Sequence, residues 1–183
     1  MARAAARFGR EDWVELGLAL LARHGPEALT LERLTEAGRK TRGSFYHHFE
    51  DHQAFLAALG ERWRDTCTEA PIAEADAALR HGKRRETLAR RTAAIDHALE
   101  RNLRRLGAGE PVIAEAVARV DERRIAYVAR LFRGELGLDA ADALMRARLQ
   151  HCAFVGAQLV FPQADARFLL KLQAALGATL WRK

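Results

Sequence analysis

The sequence predicts an all-α protein: an N-terminal three-helix helix-turn-helix head joined to a C-terminal helical bundle, about nine helices in total. Three observations predict it. Proline occurs only four times in 183 residues, apolar side chains recur at helical spacing, and helix-capping residues precede most of the periodic segments. We divide the chain into a head with its N-terminal arm at 1–55 and a helical body at 56–183.

The first three helices are short and sharply bounded. Glu11 to His24 is predicted as the first helix, since acids open it and Gly25-Pro26 follows it. Thr30 is a strong cap for a short second helix. Gly38 is expected to provide the tight turn that follows, because glycine adopts conformations that other residues resist. Thr41 then caps a third helix over Arg42 to about Phe49.

The third helix has an unusual face. Phe45 and Phe49, spaced i and i+4, form its predicted buried stripe. The opposite face carries small, basic and aromatic side chains where a solvated helix usually carries Glu and Lys, namely Arg42, Gly43, Ser44, Tyr46 and His47. Arginine pairs with guanine edges or phosphates, serine bonds to either, and glycine lets the backbone approach closely. This face predicts a helix that enters a DNA groove.

Charge supports the same prediction only locally. The formal net charge is +6, yet residues 1–64 carry ten Lys or Arg against nine acids. The basic character of the head is concentrated at Arg39, Lys40 and Arg42, since no acid occurs from 37 to 49. Residues 1–9 read as a disordered basic arm, either a solvated tail or a segment that contacts phosphate or the minor groove.

The segment from about Arg10 to Leu59 resembles the DNA-binding domain of the TetR family of bacterial transcription regulators. The resemblance rests on a capped short helix, a turn and a small-polar helix that ends in aromatics. Its residues are Thr30, Leu34, Thr41-Arg42-Gly43-Ser44-Phe45-Tyr46, Phe49 and Phe55. It implies a DNA interface made of Thr30, Arg39, Lys40, Thr41, Arg42, Gly43, Ser44, Tyr46, His47 and His52.

Two positions depart from the family pattern. Gly38-Arg39-Lys40 stands where the family usually has Ala-Gly-Val. Either Gly38 therefore serves the turn one position early or the turn packs differently. His52 stands where the family has a phosphate-contacting lysine, which predicts a weaker and pH-dependent contact.

The body reads as further helices and one break. A fourth helix is predicted from Asp51 to about Ala70, and Pro71 to Gly82 is the expected break between head and body. The arginines of 84–106 are expected on a solvated face. One later helix is predicted from Pro111 to Leu136. A second follows the Asp139 cap and runs to about Phe161, and the last helix begins after a cap at Asp165.

The last two helices, about 139–161 and 165–181, are predicted to form a homodimer interface. The first offers a face of mostly small residues and the second a leucine stripe, Leu169, Leu172, Leu176 and Leu180. The alternative is an internal core in a monomer. By resemblance, the chain acts as a ligand-responsive repressor on a near-palindromic double-stranded operator. An effector in the body would alter the spacing of the two recognition helices.

The effector itself is not readable from the sequence. Candidate pocket residues are His97, Asn102, Tyr127, His151 and Phe154, although aromatics at helical spacing are more often plain core. No catalytic motif, cofactor motif or metal-ligand cluster is apparent, so we expect neither an enzyme nor a cofactor. The rival function is an architectural DNA binder without an effector. Cys67 and Cys152 are expected to be buried hydrophobes. Lacking a signal or membrane segment, the chain is expected to be cytoplasmic.

Overall fold

The structure is a computed structural model that describes residues 8–182. The described chain contains helices and turns and no strand. Its α-helices are α1 Arg10–His24, α2 Leu31–Gly38, α3 Arg42–Tyr46, α4 His52–Arg64, α5 Ala70–Ala77, α6 Arg84–Ala93, α7 His97–Gly107, α8 Pro111–Leu136, α9 Ala140–Val160 and α10 Ala166–Leu180. The all-α prediction is confirmed. Most of the predicted N-terminal arm lies outside the described residues.

The predicted break over Pro71 to Gly82 is wrong for its first part, which is helical to Ala77. A π-helical turn, Asp65–Glu69, connects α4 to α5, and the Ala70 N–H bonds to the Asp65 carbonyl. Pro71 has no N–H to donate, and the Cys67 carbonyl four residues before it accepts a hydrogen bond from Arg124 at 3.0 Å instead. The helical rod therefore runs on to Ala77, and a 3₁₀ turn leads to Gly82, whose φ of +67° ends the segment. With α4 and α5 as one rod, the described residues hold about the predicted number of helices.

Aromatic rings form the centre of the head. The Phe45 ring lies 5.4 Å from Trp13 and 5.4 Å from Phe55, and Phe49 lies 5.3 Å from Phe55, all between centroids. Gly17 on α1 lets α4 come close, since a β-carbon there would stand 2.6 Å from the Phe55 ring. The predicted Phe45–Phe49 stripe is thus the buried side of the third helix.

The core of the head continues into the body through α4. Trp63 of α4 belongs to the same buried cluster as Leu103 of α7 and Ile113 of α8. A β-carbon at Gly60 would lie 3.0 Å from the Ala116 β-carbon, so α4 and α8 cross closely. The domain division at residue 55 stays a prediction, and α4 is the element that spans it.

The later helices begin and end where the sequence predicted. Asp139 accepts hydrogen bonds from the Ala141 and Asp142 amides at 2.8 and 2.9 Å, and Asp165 accepts one from the Phe168 amide at 2.7 Å. Of the terminal leucine stripe, Leu169 and Leu180 are buried within their own chain, so only part of that stripe is available to a second copy. No helix of the described residues has the length and apolar character that crossing a membrane requires.

Two smaller expectations are also wrong. Arg84 and Arg104 do not lie on a solvated face: their side chains are 20% and 19% exposed, and each is ion-paired. Arginine stems pack well beside helices when an acid from a neighbouring element is within reach. Cys152 is exposed and Cys67 is half-buried, so neither is fully buried as expected.

Candidate functional site

The second and third helices are both capped by threonine. The Thr30 hydroxyl accepts a hydrogen bond from the Arg33 amide at 3.3 Å, and the Thr41 hydroxyl accepts one from the Ser44 amide at 3.2 Å. Helix α3 is shorter than predicted and ends at Tyr46. The capped α3 is held by Phe45, which is fully buried beneath it.

The turn between α2 and α3 uses a different residue from the one predicted. Arg39, with φ +49°, adopts the left-handed conformation, and Gly38 remains helical. The Lys40 amide bonds to the Thr35 carbonyl at 2.9 Å, which closes the end of α2. Glycine at 38 serves close packing instead, because a β-carbon there would lie 3.2 Å from Leu16. Lys40 extends over the Phe8 ring, 5.2 Å from its centroid.

Most residues of the predicted DNA interface point to solvent. The exposed members are Thr30, Arg39, Lys40, Thr41, Arg42, Gly43, Tyr46 and His47, and the half-buried ones are Ser44 and His52. The predicted contact at His52 has a competing partner: its Nε2 lies 2.7 Å from the Leu29 carbonyl. A carbonyl accepts, so this nitrogen donates and ties the start of α4 to the loop before α2.

The exposed edge of the head carries positive charge without compensation. Arg39, Lys40 and Arg42 form no ion pair with any described residue. Arg10, at the start of α1, lies over the Phe49 ring at 5.2 Å from its centroid and adds a further cation near this edge. Unpaired cations beside an exposed, capped short helix are suited to phosphate contact.

A second candidate site is a cavity of about 810 Å³ in the body. Helices α5, α6, α8, α9 and α10 and the first residue of α7 surround it. Four of the five predicted pocket residues line it, namely His97, Tyr127, His151 and Phe154. The fifth, Asn102, does not. Its amide nitrogen donates to the Leu21 carbonyl at 2.8 Å, so it caps the end of α1.

Comparison with known proteins identifies the head. Residues 14–59 match the sequence model of the bacterial regulatory proteins of the tetR family. The transcriptional repressor AcnR of Corynebacterium efficiens is 35% identical over 69 residues, which are 36% of this chain and 37% of that protein. AcnR of Corynebacterium glutamicum is 40% identical over 50 residues, 27% of each chain. The segment 14–59 of this chain is therefore similar to the DNA-binding domain of the TetR family. These matches span little more than a third of the curated relatives' length at most.

A likeness in fold extends over most of the chain. A crystal structure of a protein assigned to the TetR-family transcriptional regulators, from Rhodococcus sp., superposes with a TM-score of 0.65. It covers 93% of this chain and 97% of that one at 15% sequence identity. At this identity the likeness establishes the fold alone. The body of this chain therefore has to be interpreted from its own residues.

One buried polar network connects the cavity to α4. Glu100 of α7 is fully buried and accepts a hydrogen bond from the Trp63 indole at 2.8 Å. It also forms a two-point ion pair with Arg124 of α8, at 2.9 and 2.7 Å. Arg124 lines the cavity and lies 5.6 Å from the centroid of the Phe154 ring. The sequence did not predict this network, since Glu100 is 24 residues from Arg124 and 37 residues from Trp63.

A second network joins three helices of the body. Asp121 of α8 accepts two hydrogen bonds from Arg104 of α7, at 2.8 and 2.7 Å. It also lies 3.0 Å from the Nε2 of His151 on α9. Burial alone would raise the pKa of Asp121, but the two hydrogen bonds and the charge of Arg104, together with the His151 ring beside it, outweigh burial and hold that pKa well below its usual range.

Asp121→Asn is therefore expected to lower the free energy of unfolding by about 2–3 kcal/mol at pH 7, because it leaves a largely buried arginine without its charge partner. A carboxylate with a depressed pKa in the folded state stabilises above its unfolded pKa, about 3.9, and loses that contribution as pH falls below it. The difference between wild type and variant, measured by urea denaturation from pH 7 to pH 3, should shrink below about pH 4.

The matched control is Asp65→Asn, which removes the exposed ion pair between Asp65 and Arg64. It is expected to change the unfolding free energy by less than about 1 kcal/mol across the same range. A difference for Asp121→Asn that stayed constant down to pH 3 would show that its ionised form does not stabilise the fold.

Proposed function

We propose that this chain is a sequence-specific DNA-binding transcriptional regulator that places α3 in the major groove. The observation that carries the proposal is the exposed face of α3, which offers Arg42, Gly43 and Tyr46 to solvent above the buried Phe45. A short helix that is anchored by one aromatic ring and lacks acids on its outer face can enter a groove of negative potential.

Each exposed side chain has a definite role in this proposal. Arg42 can make a two-point contact with a guanine edge, and Gly43 lets the α3 backbone approach the bases. Lys40 and Arg39 in the turn, with Tyr46 and His47 at the far end, can bind phosphates on either side. The Thr30 and Thr41 hydroxyls already accept from amides, so their hydrogens remain free to donate to phosphate.

The chain is proposed to act as a repressor and as a homodimer. The two named relatives, which match part of this chain, are transcriptional repressors. Two copies would present two recognition helices about 34–36 Å apart, one turn of B-DNA, and would read a near-palindromic operator. Repression follows if the operator overlaps the binding site of RNA polymerase.

The proposed dimer interface is the outer face of α9 and α10. Of nine large apolar side chains that are exposed in the described chain, seven lie between 145 and 172: Met145, Leu149, Leu159, Val160, Phe161, Phe168 and Leu172. Such a concentration is unusual on a monomer and typical of an interface. Exposed Cys152 and half-buried Gly156 lie on the same helix and would permit close approach of the partner.

Light scattering of the purified chain at micromolar concentration should give twice the 20.4 kDa chain mass. Leu149→Glu should shift the mass to that of one chain, because it places unpaired charge inside the interface. Leu79→Glu is the matched control, since Leu79 and Leu149 are both 51% exposed and Leu79 lies far from this face in sequence. A monomer for wild type, or equal behaviour of the two variants, would contradict the interface.

Effector control is proposed to act from the cavity through α4. The cavity wall contains Arg124, Arg124 holds Glu100, and Glu100 holds Trp63 of α4. A ligand that displaces α8 or α9 would therefore shift α4 and with it the separation of the two α3 helices. Effector and DNA would then oppose one another by the same coupling free energy.

The DNA-binding proposal is tested by selecting an operator in vitro and titrating it by fluorescence anisotropy. Arg42→Ala should lose about 1–3 kcal/mol of discrimination between the selected operator and a variant with its guanine replaced. Lys40→Ala is the control: it should weaken binding to both duplexes alike and reduce the salt dependence. If Arg42→Ala also weakened both alike, Arg42 would be a phosphate clamp, and an architectural DNA binder would be the better description.

A further inference from the structure

Most buried polar donors around the cavity are already bonded to partners within the protein. We propose that the cavity binds an uncharged, mostly apolar molecule with aromatic surface and discriminates against anions of the same shape. This inference rests on the proposed function only in taking the cavity as the effector site.

The one cation in the inner wall is neutralised. Arg124 donates from Nε to the Thr68 hydroxyl at 2.9 Å and from its terminal nitrogens to both Glu100 oxygens and to the Cys67 carbonyl, at 2.7 to 3.0 Å. Four of its five N–H groups are therefore used. Because Glu100 is fully buried behind it, an incoming carboxylate would have to compete with a carboxylate already in place.

Three further polar side chains of the wall also donate to partners within the protein. The Tyr127 hydroxyl donates to Asp76 at 2.8 Å, the Trp181 indole to Gln150 at 3.3 Å and the Gln173 amide to the Thr92 hydroxyl at 3.4 Å. His151 lies beside Asp121. Anchors of this kind leave few donors free to bind a charged ligand.

His97 adds an acceptor rather than a charge. Its Nε2 lies 3.3 Å from the Ala93 carbonyl and so carries the hydrogen, which leaves Nδ1 with a lone pair. Nδ1 has no partner among the described residues. Burial lowers the pKa of His97, so the ring is neutral at neutral pH. A lone pair in the wall disfavours an anion and is compatible with an uncharged ligand.

The rest of the wall is apolar and the charges stand at the rim. The apolar members include Leu88, Val128, Phe154, Leu169, Leu176 and the Trp181 ring. Three charged residues line the cavity but are exposed, namely Arg85, Glu86 and Arg90, and Arg85 is ion-paired with Glu135 at 3.0 Å. A volume of about 810 Å³ suits a molecule of drug-like size.

The test uses two probes that share one skeleton. N-phenyl-1-naphthylamine is uncharged, and 8-anilinonaphthalene-1-sulfonate is the same skeleton with a sulfonate. In fluorescence titrations of the full chain, the uncharged probe should bind at least about tenfold more tightly, which corresponds to about 1.4 kcal/mol. Equal or tighter binding of the sulfonate would overturn the proposal. If Arg90→Gln then abolished sulfonate binding, the rim cation would be the group that reads the ligand.

Variants show whether the probe occupies the cavity. Ala89 of α6 lines the cavity away from the proposed dimer face, so Ala89→Trp should fill it and weaken the uncharged probe by at least about tenfold. Ala118→Trp adds the same ring on the exposed side of α8 and should leave binding unchanged. A folded Ala89→Trp, checked by circular dichroism, that still bound the probe as wild type does would overturn the assignment. If this variant did not fold, the order of the two probes on the wild-type chain would decide.

Operator binding is measured separately and without a probe. A chain that binds its operator but prefers the sulfonate would disprove the ligand class and leave the DNA-binding function standing. A chain that prefers the uncharged probe but binds no operator would support the ligand class and disprove the DNA-binding function.

Discussion

Glu100→Gln is expected to lower the free energy of unfolding by about 3–5 kcal/mol, since removing one member of a buried ion pair leaves the other charge uncompensated. The Arg124 side chain is only 12% exposed, so bulk water compensates little for the lost carboxylate. Glutamine keeps the shape and can still accept from the Trp63 indole, which isolates the loss of charge. Urea denaturation followed by circular dichroism at pH 7 measures the change.

The exposed pair Glu115–Arg119 provides the control, because its side chains are 72% and 62% exposed. Glu115→Gln should cost less than about 1 kcal/mol. If Glu100→Gln and Glu115→Gln were equally stable, the buried ion pair would contribute no more to the free energy of unfolding than the exposed one does.

A double variant separates stability from coupling. Glu100→Leu with Arg124→Met replaces the pair by apolar side chains of similar length, and such replacements of buried pairs are often neutral or stabilising. Stability should therefore recover, whereas the polar link from the cavity wall to Trp63 is lost. If the proposed route is correct, this chain still binds operator and probe, but the probe no longer weakens operator binding.

The local features of the fold were predictable because local chemistry determines them. Helix α8 begins at Pro111 and is closed by Gly137, whose φ is +70°, and both residues stand at positions that favour them in any helix. The threonine and aspartate caps follow the same rule. The head also had a motif with fixed spacing, so its exposed face could be named residue by residue.

The features that the sequence did not predict depend on contacts between residues distant in sequence, or on a neighbouring turn or packing contact that overrides a residue's usual preference. Asn102 was predicted to contact a ligand, but its amide nitrogen lies 2.8 Å from the Leu21 carbonyl near the end of α1. Pro71 reads as a helix break unless a π-helical turn precedes it, and nothing in residues 65–69 announces one. Arg39 takes the left-handed conformation beside a glycine better suited to it, because Gly38 is needed for packing against α1. At this turn, the need for close packing at position 38 outweighs the preference of glycine for the left-handed conformation.

Phe45→Ala is expected to destabilise the head by about 3–5 kcal/mol, the range for a fully buried phenylalanine. Its ring lies within 5.5 Å of the Trp13, Tyr46, Phe49 and Phe55 rings, centroid to centroid. Helix α3 has only five residues, too few to hold together by its own hydrogen bonds. Losing this ring should therefore release α3 and abolish operator binding together with the stability of the head, as measured by denaturation and anisotropy.

Tyr46→Ala is the contrasting change, one residue further along the same helix. Tyr46 is 53% exposed, so its removal should change the unfolding free energy by about 0.5 kcal/mol or less. It should nevertheless weaken operator binding, because its hydroxyl is proposed to reach a phosphate. If Tyr46→Ala bound operator as wild type does, the phosphate contact would be wrong while the anchoring role of Phe45 stood. If Phe45→Ala kept full stability, α3 would not be held by the aromatic cluster, and the exposed face would have to be explained without a fixed helix beneath it.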